Sequence, residues 1–292
     1  MKRIYIAGCG GMLGEAFYKI FKDDYKLKCT DKDVNENWLS FLDFTFFSNY
    51  LNDVRKFNPD YLFHIGACTD MEYCENNADY AYQNNYFAVE DASYIANVLD
   101  IPLLYISTST VFNGDKSYYS DLDEPNPRGV YAQSKYLGEK HIIDNVEKYL
   151  ICRAGWMMGG YGKDKKFVGK IVGQINEGKK ELIVVGDKKG SLTLTYDFAR
   201  NVKMLIEKEL WGIYNIVCGG SVTRIDIARE IVKIMNVDVK IKETTSDYFD
   251  NDYHAPRPLS ERLMNKELNN LGLNLMRNWK ESLCDYLNGK YL

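Results

Sequence analysis

The chain has 292 residues, 37 basic against 41 acidic, and a formal charge of −4. It therefore offers no basic surface for nucleic acid or an acidic membrane. With 46% apolar residues it reads as an ordinary globular chain long enough for two domains, and no run approaches the roughly 18 apolar residues of a membrane helix.

The amino terminus, MKRIYIAGCGG, has basic residues before an apolar stretch, but its glycines break that stretch too early for an export signal. Seven scattered cysteines with no CxxC suit reduced thiols in the cytoplasm. His64, His141 and His254 are too far apart in sequence to predict a metal site.

In chain order, strand and helix signals alternate. RIYIAG is a short apolar run, MLGEAFYKIFKD has helical spacing, and YKLKCTD reads as a second strand. FTFFSNYLNDVRKFN predicts a helix, PDYLFHIGA a third strand, ADYAYQNNYFAVEDASYIANVLD one long helix, and IPLLYIST a fourth strand. The polar stretch 113–129 predicts a surface loop, followed by a helix from about Tyr131 and by YLICRAGW as a fifth strand. This order predicts an α/β fold with a Rossmann-type, doubly wound parallel sheet.

Further on the alternation loosens: ELIVV and GIYNIVCG read as strands, VTRIDIAREIVKIM as a helix. The expected organisation is a dinucleotide-binding domain over 1–156 and a smaller, mainly substrate-binding α/β domain over 157–292. Segments at about 190–215 are candidates to return to the first domain.

The first strand runs into Gly8-Cys9-Gly10-Gly11-Met12-Leu13-Gly14, a GxxGxxG at a strand-to-helix junction. Glycines there allow a tight turn, backbone approach to a pyrophosphate and close helix–strand packing. The helix start at Met12 and Leu13 offers free N–H groups to phosphates. Asp31 ends the second strand, where a carboxylate accepts adenine-ribose hydroxyls. It leans the expectation toward NAD, although Lys32 beside it could compensate a 2′-phosphate, so NADP stays open.

Tyr-x-x-x-Lys puts a phenol and an ammonium on one helix face. The pattern occurs at Tyr18/Lys22, Tyr131/Lys135, Tyr136/Lys140, Tyr161/Lys165 and Tyr286/Lys290. Ligands of a doubly wound sheet bind beyond the carboxyl ends of its strands, which favours the helix that follows the Ser107–Thr110 hydroxyls. Tyr131 and Tyr136 lie about 140° apart around that helix, so only one faces the cofactor. Tyr131, nearer the helix start, is the better placed.

GxxGxxG, the Ser-Thr-x-x-Val-Phe-x-Gly of Ser107 to Gly114, and YAQSKYLGE together resemble the extended short-chain dehydrogenase/reductase family. Within it the chain is most similar to the dTDP-4-dehydrorhamnose reductase group. The similarity runs through Arg153-Ala154-Gly155-Trp156, DKKGSLT at 187–193 and Arg257-Pro258.

The resemblance implies that Thr108, Tyr131 and Lys135 are catalytic. Thr108 would bond a keto oxygen, Tyr131 would protonate it, and Lys135 would hold the nicotinamide ribose and depress the phenol's pKa. It implies cofactor contacts at Gly8, Gly11, Met12, Leu13, Gly14, Asp31, Asp43, Phe44, Ala67, Tyr131 and Lys135. Thr69, Met71, Ser109 and Trp156 would face a nucleotide sugar.

The group's Asp-Tyr is replaced by Ser109-Thr110, its Asp by Glu72, its usual Asn by His64 and its Pro by Leu192. His64 is expected to be structural, and Tyr136 and Lys140 a packing tyrosine and a solvated lysine. The implied activity is NAD(P)H-dependent reduction of the 4-keto group of a nucleotide-linked deoxy sugar, with no metal. The oligomer stays open, a homodimer being the candidate. The alternatives are an epimerase or dehydratase on the same scaffold, or a non-catalytic nucleotide-binding regulatory subunit. The non-acidic Ser109 beside Thr108 argues against a dehydratase.

Overall fold

The structure, a computed structural model, describes residues 1–290. Its main sheet takes in β1 (Arg3–Ala7), β2 (Lys26–Asp31), β3 (Leu39–Phe41), β4 (Tyr61–His64), β5 (Leu103–Thr108) and β6 (Tyr149–Ala154). After β7 (Trp156–Met158), β8 (Glu181–Val185), β9 (Lys189–Gly190) and β10 (Leu192–Leu194), the chain returns to the sheet as β11 (Gly212–Asn215). The sheet order is β11-β6-β5-β4-β1-β2-β3, with all pairings parallel.

Both faces of this sheet are buried, which is why its strands are near-continuous apolar runs. In β1, Ile4 and Ile6 point into one core while Tyr5 and Ala7 point into the other. Chain direction across the sheet reverses between β1 and β4. That is the switch point where ligands of doubly wound folds sit.

The helices that matter for the site are α1 (Met12–Phe21), α2 (Phe47–Phe57), α3 (Met71–Asn76), α4 (Ala78–Tyr82), α5 (Ala88–Leu99), α6 (Val130–Asn145), α7 (Phe167–Asn176), α8 (Thr195–Glu207) and α9 (Arg224–Met235). Phe198 of α8 sets its ring edge against Phe17 of α1, centroids 6.4 Å apart, and β11 pairs with β6. Away from the sheet, β7 pairs with β10, β8 with β13 (Lys240–Thr244), and β9 with both β12 (Val222–Thr223) and β14 (Ser260–Glu261).

Two local expectations are corrected. The long helix expected from Ala78 is interrupted by a π turn at Gln83–Phe87 between α4 and α5. YLICRAGW is not one strand: the Gly155 N–H turns out of the sheet to the Thr193 hydroxyl at 3.0 Å, so β6 ends and β7 begins a separate pairing with β10. The three-residue edge strand β3 and the short α3 carry too few residues for a periodic signal. Among the described residues, no helix is long and apolar enough to cross a membrane, and no cluster of three or more His, Cys, Asp or Glu could hold a metal ion.

Candidate active site

The glycine turn follows β1 at the carboxyl edge of the sheet. Gly8 has φ +81° and lies so close to the next loop that a Cβ would stand 2.1 Å from the Gly66 Cα. At Gly14 a Cβ would stand 2.0 Å from the Cys9 carbonyl oxygen, so glycine lets α1 pack down on the turn. Gly11 differs: it caps α1 with no side-chain bond, and a Cβ there would meet nothing within 4 Å. The N–H groups of Met12 and Leu13 at this positive helix end have no side-chain cap, an arrangement that fits a pyrophosphate.

Asp31 at the end of β2 accepts the Gly10 N–H at 2.8 Å through Oδ2 and the Asp33 N–H at 2.9 Å through Oδ1. A carboxylate has further lone pairs for ribose hydroxyls. Lys32 is turned away, donating to the Tyr80 phenol at 2.6 Å. Asp43 holds the turn after β3 by accepting the N–H and hydroxyl of Thr45 at 3.0 and 2.7 Å. The next ring, Phe44, sits edge-on to His64 with centroids 4.9 Å apart. His64 is wholly buried, its Nδ1 lies 3.2 Å from the Tyr50 hydroxyl and its Nε2 has no partner among the described residues. Burial pushes it down to about 3, so it is a neutral core residue.

β5 ends in Thr108, whose hydroxyl lies 3.0 Å from that of Thr110. Facing it is Tyr131 in the first turn of α6. Burial raises this phenol's pKa, and the Thr108 hydroxyl opposes the rise by bonding it. One turn on, Lys135 is 3% exposed and its ammonium sits 4.0 Å above the Tyr105 ring of β5. Burial lowers its pKa to about 7, against the pull of Glu139. Glu139 itself is held by Arg153 of β6 in a buried bidentate pair at 2.9 and 2.7 Å. Burial, rather than the ammonium, thus governs the Tyr131 phenol in the protein alone. Tyr136 packs on the Val111, Phe112 and Tyr119 cluster, and Lys140 is exposed, both as expected.

The remaining positions spread around this centre. Ala67 and Thr69 lie in the loop after β4, and Met71 starts α3. The Thr69 hydroxyl and carbonyl accept Lys166 Nζ at 3.1 and 3.2 Å. Trp156 in β7 lies under the Arg224 guanidinium, 4.5 Å from its ring centroid, with its indole N–H buried and without a partner among the described residues. Ser109 is buried and donates to Glu261 Oε2 at 2.8 Å.

Sequence reasoning missed three residues here. Glu261 acts electrostatically on both Tyr131 and Arg224, so a buried carboxylate stands at the site although none occupies position 109. Arg224 read only as part of a helix. Asn85, inside the π turn, grips Cys68 with both amide atoms: Oδ1 accepts its N–H at 2.8 Å and Nδ2 donates to its carbonyl at 3.0 Å. The same Nδ2 reaches the Ser134 hydroxyl at 3.1 Å, and that hydroxyl donates to the Tyr131 carbonyl. The only sequence signal was the position of Glu261 a few residues after the matched Arg257-Pro258.

A doubly wound sheet with a glycine cradle, an acid ending β2 and a Thr–Tyr–Lys cluster at the switch edge defines an NAD(P)-dependent oxidoreductase of the extended short-chain dehydrogenase/reductase type. A family model described as RmlD substrate binding domain matches residues 1–291, and the chain belongs to that family.

The spore coat polysaccharide biosynthesis protein SpsK of Bacillus subtilis is 27% identical over 289 residues, 98% of this chain and 97% of that protein. Among solved structures, the dTDP-4-dehydrorhamnose reductase of Yersinia enterocolitica is 32% identical, with a TM-score of 0.88 over 100% of both chains. That of Bacillus anthracis, in complex with NADP, is 27% identical, with a TM-score of 0.90 over 99% of both.

Proposed function

We propose that the protein reduces the 4-keto group of a nucleotide-linked deoxy sugar, converting dTDP-4-dehydrorhamnose or a close analogue to the corresponding alcohol with NADH or NADPH. What supports this reading is that Tyr131, in the first turn of α6, interacts with Thr108 at the end of β5, one helical turn before the buried Lys135. The named reductases of similar length and fold supply the substrate.

Residues 1–156 would bind the dinucleotide, joined by α8 and β11, while most of 157–292 would bind the sugar nucleotide. Gly8, Gly11, Met12, Leu13 and Gly14 would hold the pyrophosphate, Asp31 the adenine ribose, Asp43 and Phe44 the adenine end, and Ala67 would line the cleft. Thr69, Met71, Ser109 and Trp156 would face the sugar nucleotide. Seven free thiols support the cytoplasm as its compartment.

The reduced nicotinamide supplies a hydride to the C4 carbon. Thr108 holds the keto oxygen with its hydroxyl, and Tyr131 gives that oxygen the phenolic proton, which solvent then restores. A half-buried phenol with a raised pKa keeps its proton until the oxygen needs it. Lys135, when charged, stabilises the phenolate that remains. Tyr131→Phe is expected to cut turnover of dTDP-4-dehydrorhamnose by about 10²–10⁴-fold. Absorbance at the nicotinamide band, read with NADH and with NADPH, checks it. Equal turnover in the variant would remove Tyr131 as the acid.

A further inference from the structure

Cys68 and Cys74 bring their sulfurs to 3.4 Å, and the Cys74 thiol also reaches the Cys68 carbonyl at 3.6 Å. Cys68 is half-buried in the loop after β4, and Cys74 is buried in α3. The Cys74 S–H points to the Cys68 sulfur and lowers its pKa to about 7, helped by the Asp70 N–H. A substantial share of Cys68 is thus thiolate at neutral pH, the form that reacts with oxidants. The proposed reduction uses no thiol.

Between the two cysteines lie Thr69 and Met71, and Ala67 stands just before them. Charge on either sulfur acts on Tyr131, and charge on Cys74 acts on Lys135. Cys9, Cys29, Cys152 and Cys218 are all buried, and Cys284 is half-buried. Cys284 accepts a bond from Asn288 Nδ2 at 3.3 Å.

We propose that Cys68 and Cys74 are an oxidant-sensitive modification site, in which hydrogen peroxide closes a disulfide that reshapes segment 68–74 and reversibly shuts down the adjacent site. The Cys68 thiolate attacks one peroxide oxygen, the O–O bond breaks, and the departing hydroxide takes up a proton to leave as water. Cys74 then attacks the sulfenic sulfur. The S–O bond breaks, and the oxygen leaves as a second water with the Cys74 proton. Two thiols lose two electrons and the peroxide gains them. The sulfurs must close from 3.4 Å to about 2.05 Å, a shift borne by the two side chains and by the segment that carries Thr69 and Met71.

The effect on turnover rests on the reductase reading, whereas formation of the bond and NADH affinity do not. The test exposes the full chain, C68S and C74S to graded hydrogen peroxide under native conditions. Disulfides are mapped by peptide mass, and NADH binding and turnover are measured before and after dithiothreitol. The expected result is a Cys68–Cys74 bond as the first product, with turnover down about 10²-fold, the scale of an ångström-sized misplacement, and restored by dithiothreitol. C74S should stop at a Cys68 sulfenic acid that dimedone traps, and C68S should resist.

C74A substitutes if C74S fails to fold. Oxidation first at another thiol overturns the proposal, as does a mapped disulfide that leaves both turnover and NADH affinity unchanged. If the untreated protein turns over no sugar nucleotide, the reductase reading fails, and the mapped bond with NADH affinity decides this one.

Discussion

At Lys135 a single residue sets stability and chemistry against each other. Its ammonium is carried into the protein beside Tyr105, and burial moves its pKa from 10.5 to about 7. Between those values the unfolded chain binds a proton that the folded protein has released. Stability attributable to this group therefore rises with pH across that window, and the full cost of the buried charge is felt below about pH 7. The difference is roughly 4–5 kcal/mol. Lys135→Met is expected to resist urea better than the parent at pH 6, to lose that advantage near pH 10, and to lose turnover at both. Urea titrations at the two pH values check it, and parallel curves for the two proteins would move the cost elsewhere. The same group explains why turnover needs more than the protein alone: at neutral pH Lys135 is only partly charged, and a phenolate on Tyr131 is what would draw the proton back to it.

At the scale of elements, the π turn at Gln83–Phe87 is the piece that joins the loop after β4 to α6. A π turn shifts each backbone bond by one residue and leaves composition unchanged, which is why ADYAYQNNYFAVEDASYIANVLD reads as one continuous helix. That shift accompanies the inward turn of Asn85, which is wholly buried. Asn85→Ala would leave the Cys68 N–H and carbonyl without that grip. The expected loss is about 1–3 kcal/mol of stability, measured by urea unfolding, with lower turnover because segment 67–71 loses its anchor. Full stability in the variant would mean that water replaces the amide. By contrast, β1, the glycine turn, α1, β2 and Asp31 were legible in order because each is local: an apolar run, a glycine spacing, a helical spacing. Choosing Tyr131/Lys135 among five such pairs was not local. It needed the position of α6 at the sheet edge and a resemblance in the flanking residues.

Across the whole molecule, the candidate site is tied together by contacts between parts of the chain far apart in sequence. Arg257 bonds Glu72 at 2.8 Å, Lys166 reaches Thr69, and Glu261 accepts Ser109 across 152 positions. No periodicity or spacing announces such pairs, because they exist only once β14 pairs with β9 and lies near the end of β5. The Ser109 position illustrates the point. In sequence it looked like the loss of an acidic residue beside Thr108, while the folded chain brings a carboxylate back from β14. Glu261 is 6% exposed and spends Oε2 on Ser109, and its charge opposes ionisation of Tyr131. Two effects should follow from Glu261→Gln. The phenol should ionise more easily, moving the alkaline limb of the turnover profile to lower pH. The KM for the sugar nucleotide should rise while NADH affinity holds, since Glu261 bonds Ser109 on the proposed sugar side. A pH–rate series on parent and variant, with NADH affinity alongside, separates the outcomes. A shifted limb with unchanged KM would keep Glu261 as an electrostatic neighbour of Tyr131 only, and a fall in NADH affinity would contradict the placement of cofactor and sugar in different parts of the cleft.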